Sequence, residues 1–144
     1  MTRAEIGKRG EMLAEEYLQK QGVRILAKNY SVHGGEIDLV GYHRGGLVYY
    51  EVKTRTGTSW GTARDAMHED KIRSVEYAAK QFARQHVSYG KVPVCYPLGI
   101  WIPRRVRFQR VDGIEVYLNP DGTTQSINKI EDIGYEIRQH ALDY

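Results

Sequence analysis

The chain has one cysteine, Cys95, in 144 residues, which excludes an intramolecular disulfide and a cysteine-based zinc cluster. No apolar run approaches the ~20 residues that a membrane-spanning helix requires. Met1-Thr2-Arg3-Ala4-Glu5 lacks the apolar core of a secretion signal, so a soluble, cytoplasmic protein without a membrane partner is expected. Internal repeats, low-complexity stretches and linker-like segments are missing too. With 41% apolar and 27% charged residues, disordered and fibrous classes are excluded as well. What remains is one globular domain over residues 1–144, long enough to bury roughly two thirds of its unfolded surface.

Charge is unevenly spread. Residues 1–111 carry 19 Lys/Arg against 11 Asp/Glu, and residues 112–144 carry 2 against 7. The expected organisation is therefore a basic core over about 1–111 with an acidic C-terminal extension over about 112–144. A basic body suits an anionic partner such as nucleic acid, although an ordinary solvated surface has the same composition.

Thr2 and Glu5 have capping-box spacing, and Ile6, Gly10, Leu13, Ala14, Tyr17 and Leu18 follow at helical spacing, which predicts a helix over 2–20 ended by Gln21-Gly22. Val23-Arg24-Ile25-Leu26 starts a strand. A polar loop over 54–61 leads to a second helix from about Thr62 to His86, with Val75, Ala78, Ala79, Phe82 and His86 as its buried stripe. Strands are expected at Val94 to Ile102, Val106 to Val111 and Ile114 to Leu118, joined by Pro103-Arg104-Arg105 and Asp112-Gly113. Asn119-Pro120-Asp121-Gly122 signals a turn. In the tail, Ile130, Ile133, Ile137 and Ala141 have helical spacing, with Asn128 and Glu131 placed to cap. This order implies an α/β fold with a mixed sheet.

The chemistry concentrates in two apolar stretches, Gly35-Glu36-Ile37-Asp38-Leu39-Val40-Gly41-Tyr42 and Leu47-Val48-Tyr49-Tyr50-Glu51-Val52-Lys53, separated by His43-Arg44-Gly45-Gly46. They read as a hairpin. Closure on Arg44-Gly45 sets Tyr42 against Leu47, Asp38 against Glu51 and Glu36 against Lys53, all four charged side chains on one face. Two carboxylates with Cβ atoms roughly 5 Å apart repel, and a cation between them resolves the conflict. The alternative makes Glu36–Lys53 a cross-strand ion pair and leaves Asp38 and Glu51 exposed.

An acid-x-Lys triplet is uninformative by itself, since the composition predicts about one by chance. Glu51-x-Lys53 lies on a strand, where i and i+2 share a face. Glu69-x-Lys71 lies on a helix, where they diverge, and reads as solvated surface. A carboxylate pair with an adjacent lysine fits a hydrolase acting on phosphodiesters through Mg²⁺ or Mn²⁺, with Lys53 orienting water and offsetting transition-state charge. Glu11, at the border of the first helix's apolar stripe, can reach toward this site or sit as a solvated flank residue.

These residues resemble a known family. Gly7-Lys8-Arg9-Gly10-Glu11 with Ala14 and Tyr17-Leu18 look like the opening helix of the bacterial YraN family of endonuclease-like proteins, and Gly35-Glu36-Ile37-Asp38-Leu39 and Glu51-Val52-Lys53-Thr54-Arg55 match its two central motifs. Gly61, Ala66 and Lys71 match the start of its second helix. The likeness covers residues 7 to about 82. It departs downstream, where the family usually carries Arg-Phe-Asp and this chain has Arg107-Phe108-Gln109.

The resemblance implies a restriction-endonuclease-like three-layer fold, with a central mixed sheet flanked by helices, of the PD-(D/E)XK superfamily and similar to archaeal Holliday junction resolvases. It implies that Asp38, Glu51 and the carbonyl of Val52 hold Mg²⁺ or Mn²⁺, that Lys53 is catalytic and that Glu11 joins the site.

The expected function is metal-dependent hydrolysis of DNA phosphodiesters, on branched or damaged DNA. The alternatives are a nucleic-acid-binding module of the same fold without turnover and a protein-interaction domain. Lys8, Arg9, Arg55, Trp60 and Lys71 are the candidate nucleic-acid contacts. Pro103-Arg104-Arg105-Val106-Arg107 is a basic turn able to touch DNA, with a solvated hairpin tip as the preferred reading. Resolvase-like action would need a homodimer with paired sites.

Overall fold

The computed structural model describes residues 1–57 and 69–134. Helix α1 spans Arg3–Lys20 and starts as expected, with the Thr2 hydroxyl accepting the Glu5 N–H at 3.1 Å. It ends at Gln21, and Gly22, at φ 90°, takes the left-handed turn that glycine accepts without strain. Three antiparallel-paired strands follow: β1 (Arg24–Val32), β2 (Gly35–His43) and β3 (Gly46–Thr56). The described part of the second helix, α2, spans Glu69–His86. Beyond it come β4 (Lys91–Tyr96), a short turn over Pro97–Gly99, β5 (Ile100–Arg105), β6 (Phe108–Leu118) and β7 (Thr124–Ile130).

The main sheet has the order β1-β2-β3-β6-β7, and β3 runs parallel to β6. It is therefore mixed, as expected. One core lies beneath α1, where Ala14 and Leu18 meet Leu39, Val48, Tyr50, Ile114, Val116 and Leu118. The other lies beneath α2, where Val75, Ala78, Ala79, Phe82 and Ala83 meet Ile37, Val40, Tyr42, Leu47, Tyr49 and Val111. Alternation along β3 assigns these clusters to opposite sheet faces, so one helix covers each. Each fully buried Leu, Ile or Val in them stabilises the fold by about 1.5–3 kcal/mol.

Two glycines set the helix–sheet spacing. A Cβ on Gly10 would lie 1.7 Å from the Thr54 hydroxyl, and one on Gly35 would lie 2.4 Å from the Ser74 carbonyl of α2. Neither position accepts a side chain without moving a helix.

Several elements differ from the sequence expectation. The strand expected over Val94 to Ile102 is instead a separate β4–β5 ribbon, because Pro97-Leu98-Gly99 turns the chain back on itself. Pro103-Arg104-Arg105 lies on β5 and is not a hairpin tip. The strands expected on either side of Asp112-Gly113 are one continuous β6, and residues 112–130 belong to the sheet and not to an appended tail. Asn128 and Ile130 lie on β7, where pairing with β6 overrides their helical spacing. His86 is exposed, its ring 4.4 Å from that of Phe82. The start of the second helix at Thr62 and the tail positions Ile137 and Ala141 lie outside the described residues. Among the described residues no helix is long and apolar enough to cross a membrane.

Candidate metal centre

The β2–β3 hairpin closes on Arg44-Gly45 with Tyr42 opposite Leu47, and the ladder runs to Leu39 opposite Tyr50. It stops there. Ile37 packs in the α2-side cluster and Leu39 in the α1-side cluster, although residues two apart on a regular strand share a face. Alternation therefore slips at Asp38. On β1, Asn29 lies opposite this slip, between the pairs Lys28↔Leu39 and Tyr30↔Ile37, and has φ 50°.

The slip turns Asp38 off the face and into the gap between β2 and β3. Its Oδ2 accepts the Val52 N–H at 2.7 Å, taking the place of a strand carbonyl. The expected arrangement of Asp38 and Glu51 on one face as a ladder pair is corrected accordingly, but the two carboxyls remain neighbours, close enough for each to shift the other's ionisation. A strand residue sends its N–H and C=O to the same edge, so the Val52 carbonyl also points toward the gap.

Glu51 is the anomalous member. It is 4% exposed, and its Oε2 is buried without a hydrogen-bond partner. Burial, and then the Asp38 charge, push its carboxyl up to about 8. Asp38 is raised by burial, a shift tempered by the Val52 N–H and by Glu51. Leaving a buried acceptor unpaired costs about 1–3 kcal/mol. A second buried orphan, Glu115 Oε1, lies on β6, where Glu115 pairs with Lys53 across the parallel ladder and its other oxygen accepts the Tyr117 hydroxyl at 2.8 Å.

The cations are arranged differently from the sequence reading. Glu36 pairs with Lys71, Nζ to Oε1 at 2.5 Å, and not with Lys53. Lys71 also lies 3.9 Å from Glu51 Oε1, so the helix triplet that read as plain surface supplies an ion-pair partner to Glu51. The hydrogen bond to Glu36, followed by the neighbouring carboxylates, raises the Lys71 pKa. Lys53 shares the Glu51 face of β3 by alternation.

Glu11, on α1, lies within electrostatic reach of Asp38, but Glu11, Asp38 and Glu51 do not form a group placed to hold one ion. Glu11 is half-buried and accepts a hydrogen bond from the Asn29 side chain, and its carboxyl is raised by burial and then by the Asp38 charge. A cleft of about 500 Å³ opens beside it, lined by Arg3, Gly7, Glu11 and residues 52–56 of β3, including Lys53 and Arg55.

The remaining candidate contacts divide. Lys8 is exposed. Arg9 donates through Nε to the Gly122 carbonyl at 3.2 Å and so ties α1 to the β6–β7 turn. Trp60 lies outside the described residues. Gln109, where the family's motif would have Asp, accepts the Tyr49 hydroxyl at 2.5 Å inside the sheet.

Sequence reasoning missed Asn29 and Lys71 as neighbours of the carboxylate pair, and Glu115 as a buried acid opposite Lys53. The signals available were the family likeness at Lys71 and, for Glu115, an acid between the apolar Ile114 and Val116.

The donor set suits a hard cation. No group of three or more His, Cys, Asp and Glu side chains among the described residues is placed to hold a metal, so a cation here would have two carboxylates and would rely on backbone and water for its other ligands. Two carboxylates and a carbonyl, completed by water and a substrate oxygen, are what Mg²⁺ or Mn²⁺ takes. The buried orphan oxygen of Glu51 is the position such an ion would satisfy.

Comparison with known proteins gives the family. A model of the uncharacterised protein family UPF0102 matches residues 10–116. A UPF0102 protein of Carboxydothermus hydrogenoformans is 39% identical over 69% of this chain and 85% of its own length. One from Caldanaerobacter subterraneus subsp. tengcongensis is 32% identical over 87% and 90% respectively, and one from Mycobacterium bovis is 31% identical over 93% and 95%. The matched span begins on α1 at Gly10 and runs into β6 as far as Val116, taking in Glu11, Asp38, Glu51, Lys53 and Glu115. The chain belongs to the UPF0102 family.

Proposed function

We propose that this chain is a divalent-metal-dependent nuclease of the restriction-endonuclease-like, PD-(D/E)XK type that hydrolyses phosphodiester bonds in DNA. The observation that carries this reading is the juxtaposition of Asp38 and Glu51 at a break in the sheet, with one Glu51 oxygen buried and unpartnered. A fold that keeps such a pair against its mutual repulsion does so for a cation.

Asp38, Glu51 and the Val52 carbonyl would hold Mg²⁺ or Mn²⁺. When bound, the ion supplies Lewis-acid polarisation of the phosphate. The Val52 N–H fixes the Asp38 carboxylate so that its second oxygen stays available. Lys53, on the Glu51 face, offsets the negative charge that develops on the phosphate and orients water. Lys71 neutralises Glu36 and lowers the cost of ionising Glu51. Glu11, anchored by Asn29, closes the site from α1. The cleft with Arg3, Lys53 and Arg55 in its lining gives the phosphate backbone a route to these groups.

The test is cleavage of duplex, four-way-junction and single-stranded DNA with Mn²⁺, by wild type and Asp38→Ala purified in parallel. Cleavage by wild type alone is expected. Equal cleavage by both proteins overturns the assignment. Salt-sensitive binding without cleavage under either metal would identify a binding module instead.

A further inference from the structure

A second cleft, of about 460 Å³, lies at the far end of the β2–β3 hairpin, with Arg44, Arg104, Arg105, Arg107, Tyr42 and Ile102 in its lining. The lining contains four guanidinium groups and no carboxylate. None of these arginines takes part in an ion pair among the described residues, and all four are exposed. Like charges gathered without counter-charge repel one another, so a surface that assembles them is suited to an anion.

Three separate segments are fastened together to make the cleft. Arg44 sits in the two-residue turn between β2 and β3, Arg104 and Arg105 end β5, and Arg107 lies on the link into β6. The Arg107 N–H donates to the Gly45 carbonyl at 2.7 Å. The Tyr42 hydroxyl donates to the Arg105 carbonyl at 2.8 Å, and the Val106 N–H to the Gly90 carbonyl at 2.8 Å. Arg44 has φ 50°, a left-handed position that such turns ordinarily give to Asn or Gly. Arg44 thus stands at a conformational cost in the lining of a cleft that it shares with three other arginines.

We infer that this cleft binds phosphate groups of a nucleic acid strand away from the scissile bond, an inference that rests on the nuclease reading above. Guanidinium forks match phosphate oxygens in pairs. Four guanidiniums without a carboxylate partner among the described residues, one of them (Arg104) 6.0 Å from the Tyr96 ring centroid, suit several successive phosphodiesters better than one free phosphate. The cleft begins at the turn preceding Gly46, five residues along β3 from Glu51, which is about 17 Å at the rise of a strand. That separation is roughly half the ~34 Å helical turn of a duplex. A contact at that distance from Glu51 anchors the substrate without touching the reacting phosphate.

The experiment uses the full chain in EDTA, which separates binding from cleavage. Binding to a labelled duplex and a labelled four-way junction is measured against salt for wild type and for Arg104→Gln/Arg107→Gln. If each lost phosphate contact lowers the slope of log K against log salt by about 0.9, the double variant loses close to two from the wild-type slope. Arg104→Lys/Arg107→Lys, which keeps the charge, recovers most of that slope. An unchanged slope in a folded Arg104→Gln/Arg107→Gln protein overturns the inference and leaves the nuclease reading standing. A wild-type chain that binds neither DNA at low salt overturns the nuclease reading and this inference with it. Binding of inorganic phosphate that the double variant loses, with the DNA slope unaltered, would also overturn the inference, as it would make the cleft a free-phosphate site.

Discussion

Replacing Glu51 by Gln removes the ionisation that conflicts most with the fold and keeps the side chain's shape. The Glu51 carboxyl stands at about 8 in the native chain against 4.5 when exposed, because burial and then Asp38 disfavour its charge. A raised carboxyl means that the unfolded chain releases this proton at lower pH than the folded one. Native stability is therefore lost as pH rises from about 4.5 to about 8, and the loss is complete above that window. The shift bounds this loss at about 5 kcal/mol, and water penetration together with the coupling to Asp38 brings the expected figure to about 2–3 kcal/mol.

Urea unfolding of wild type and Glu51→Gln in EDTA, at pH 5 and at pH 8.5, reads the effect directly. The two proteins should differ little at pH 5, and Glu51→Gln should be more stable by about 2–3 kcal/mol at pH 8.5. Mg²⁺ should stabilise wild type at pH 8.5 by mass action and leave Glu51→Gln much less changed. A difference between the proteins that does not vary with pH, or a Glu51→Gln chain that is less stable at pH 8.5, would refute the reasoning.

Three further outcomes follow from the packing and the charges. Lys71→Met removes the cation 3.9 Å from Glu51, so the Glu51 titration followed by carboxyl ¹³C shifts should move to higher pH, and a downward move would contradict the electrostatic picture. Gly10→Ala sets a methyl against Thr54, 1.7 Å from its hydroxyl oxygen, and should cost about 1–3 kcal/mol in urea unfolding through overpacking. A neutral result would show that α1 does not sit against β3 as described. Asp112→Ala should cost about 3–5 kcal/mol, because the fully buried Asp112 holds Arg110 at 2.9 and 3.1 Å and the Asp132 N–H at 2.9 Å. A loss below about 1 kcal/mol would mean that Arg110 finds another partner.

The hairpin was legible because a two-residue turn fixes register by counting, and Tyr42 does face Leu47. The first helix was legible because Thr2 and its apolar spacing act locally. The slip at Asp38 was not legible, because strict alternation is assumed in any count along a strand, and the break depends on Asn29 of a neighbouring strand. Asp112-Gly113 carries a turn signal, yet Arg110 and the Asp132 N–H satisfy the aspartate while Gly113 pairs with Glu51 and Ile130 on either side. Tertiary pairing likewise makes a strand of Thr124–Ile130. The partner of Glu36 was misread for the same reason, since Lys71 reaches it across a helix–sheet contact that no local spacing encodes.

The central claim is that the fold holds Asp38 and Glu51 together in order to take a divalent cation. Electron paramagnetic resonance titration of the full chain with Mn²⁺ tests this most directly, with Asp38→Asn and Glu51→Gln measured beside wild type. The account predicts saturable Mn²⁺ binding to wild type that Mg²⁺ displaces, and loss of that binding in both variants. Wild-type binding that persists unchanged in Asp38→Asn and Glu51→Gln, or no saturable binding at all, would contradict it.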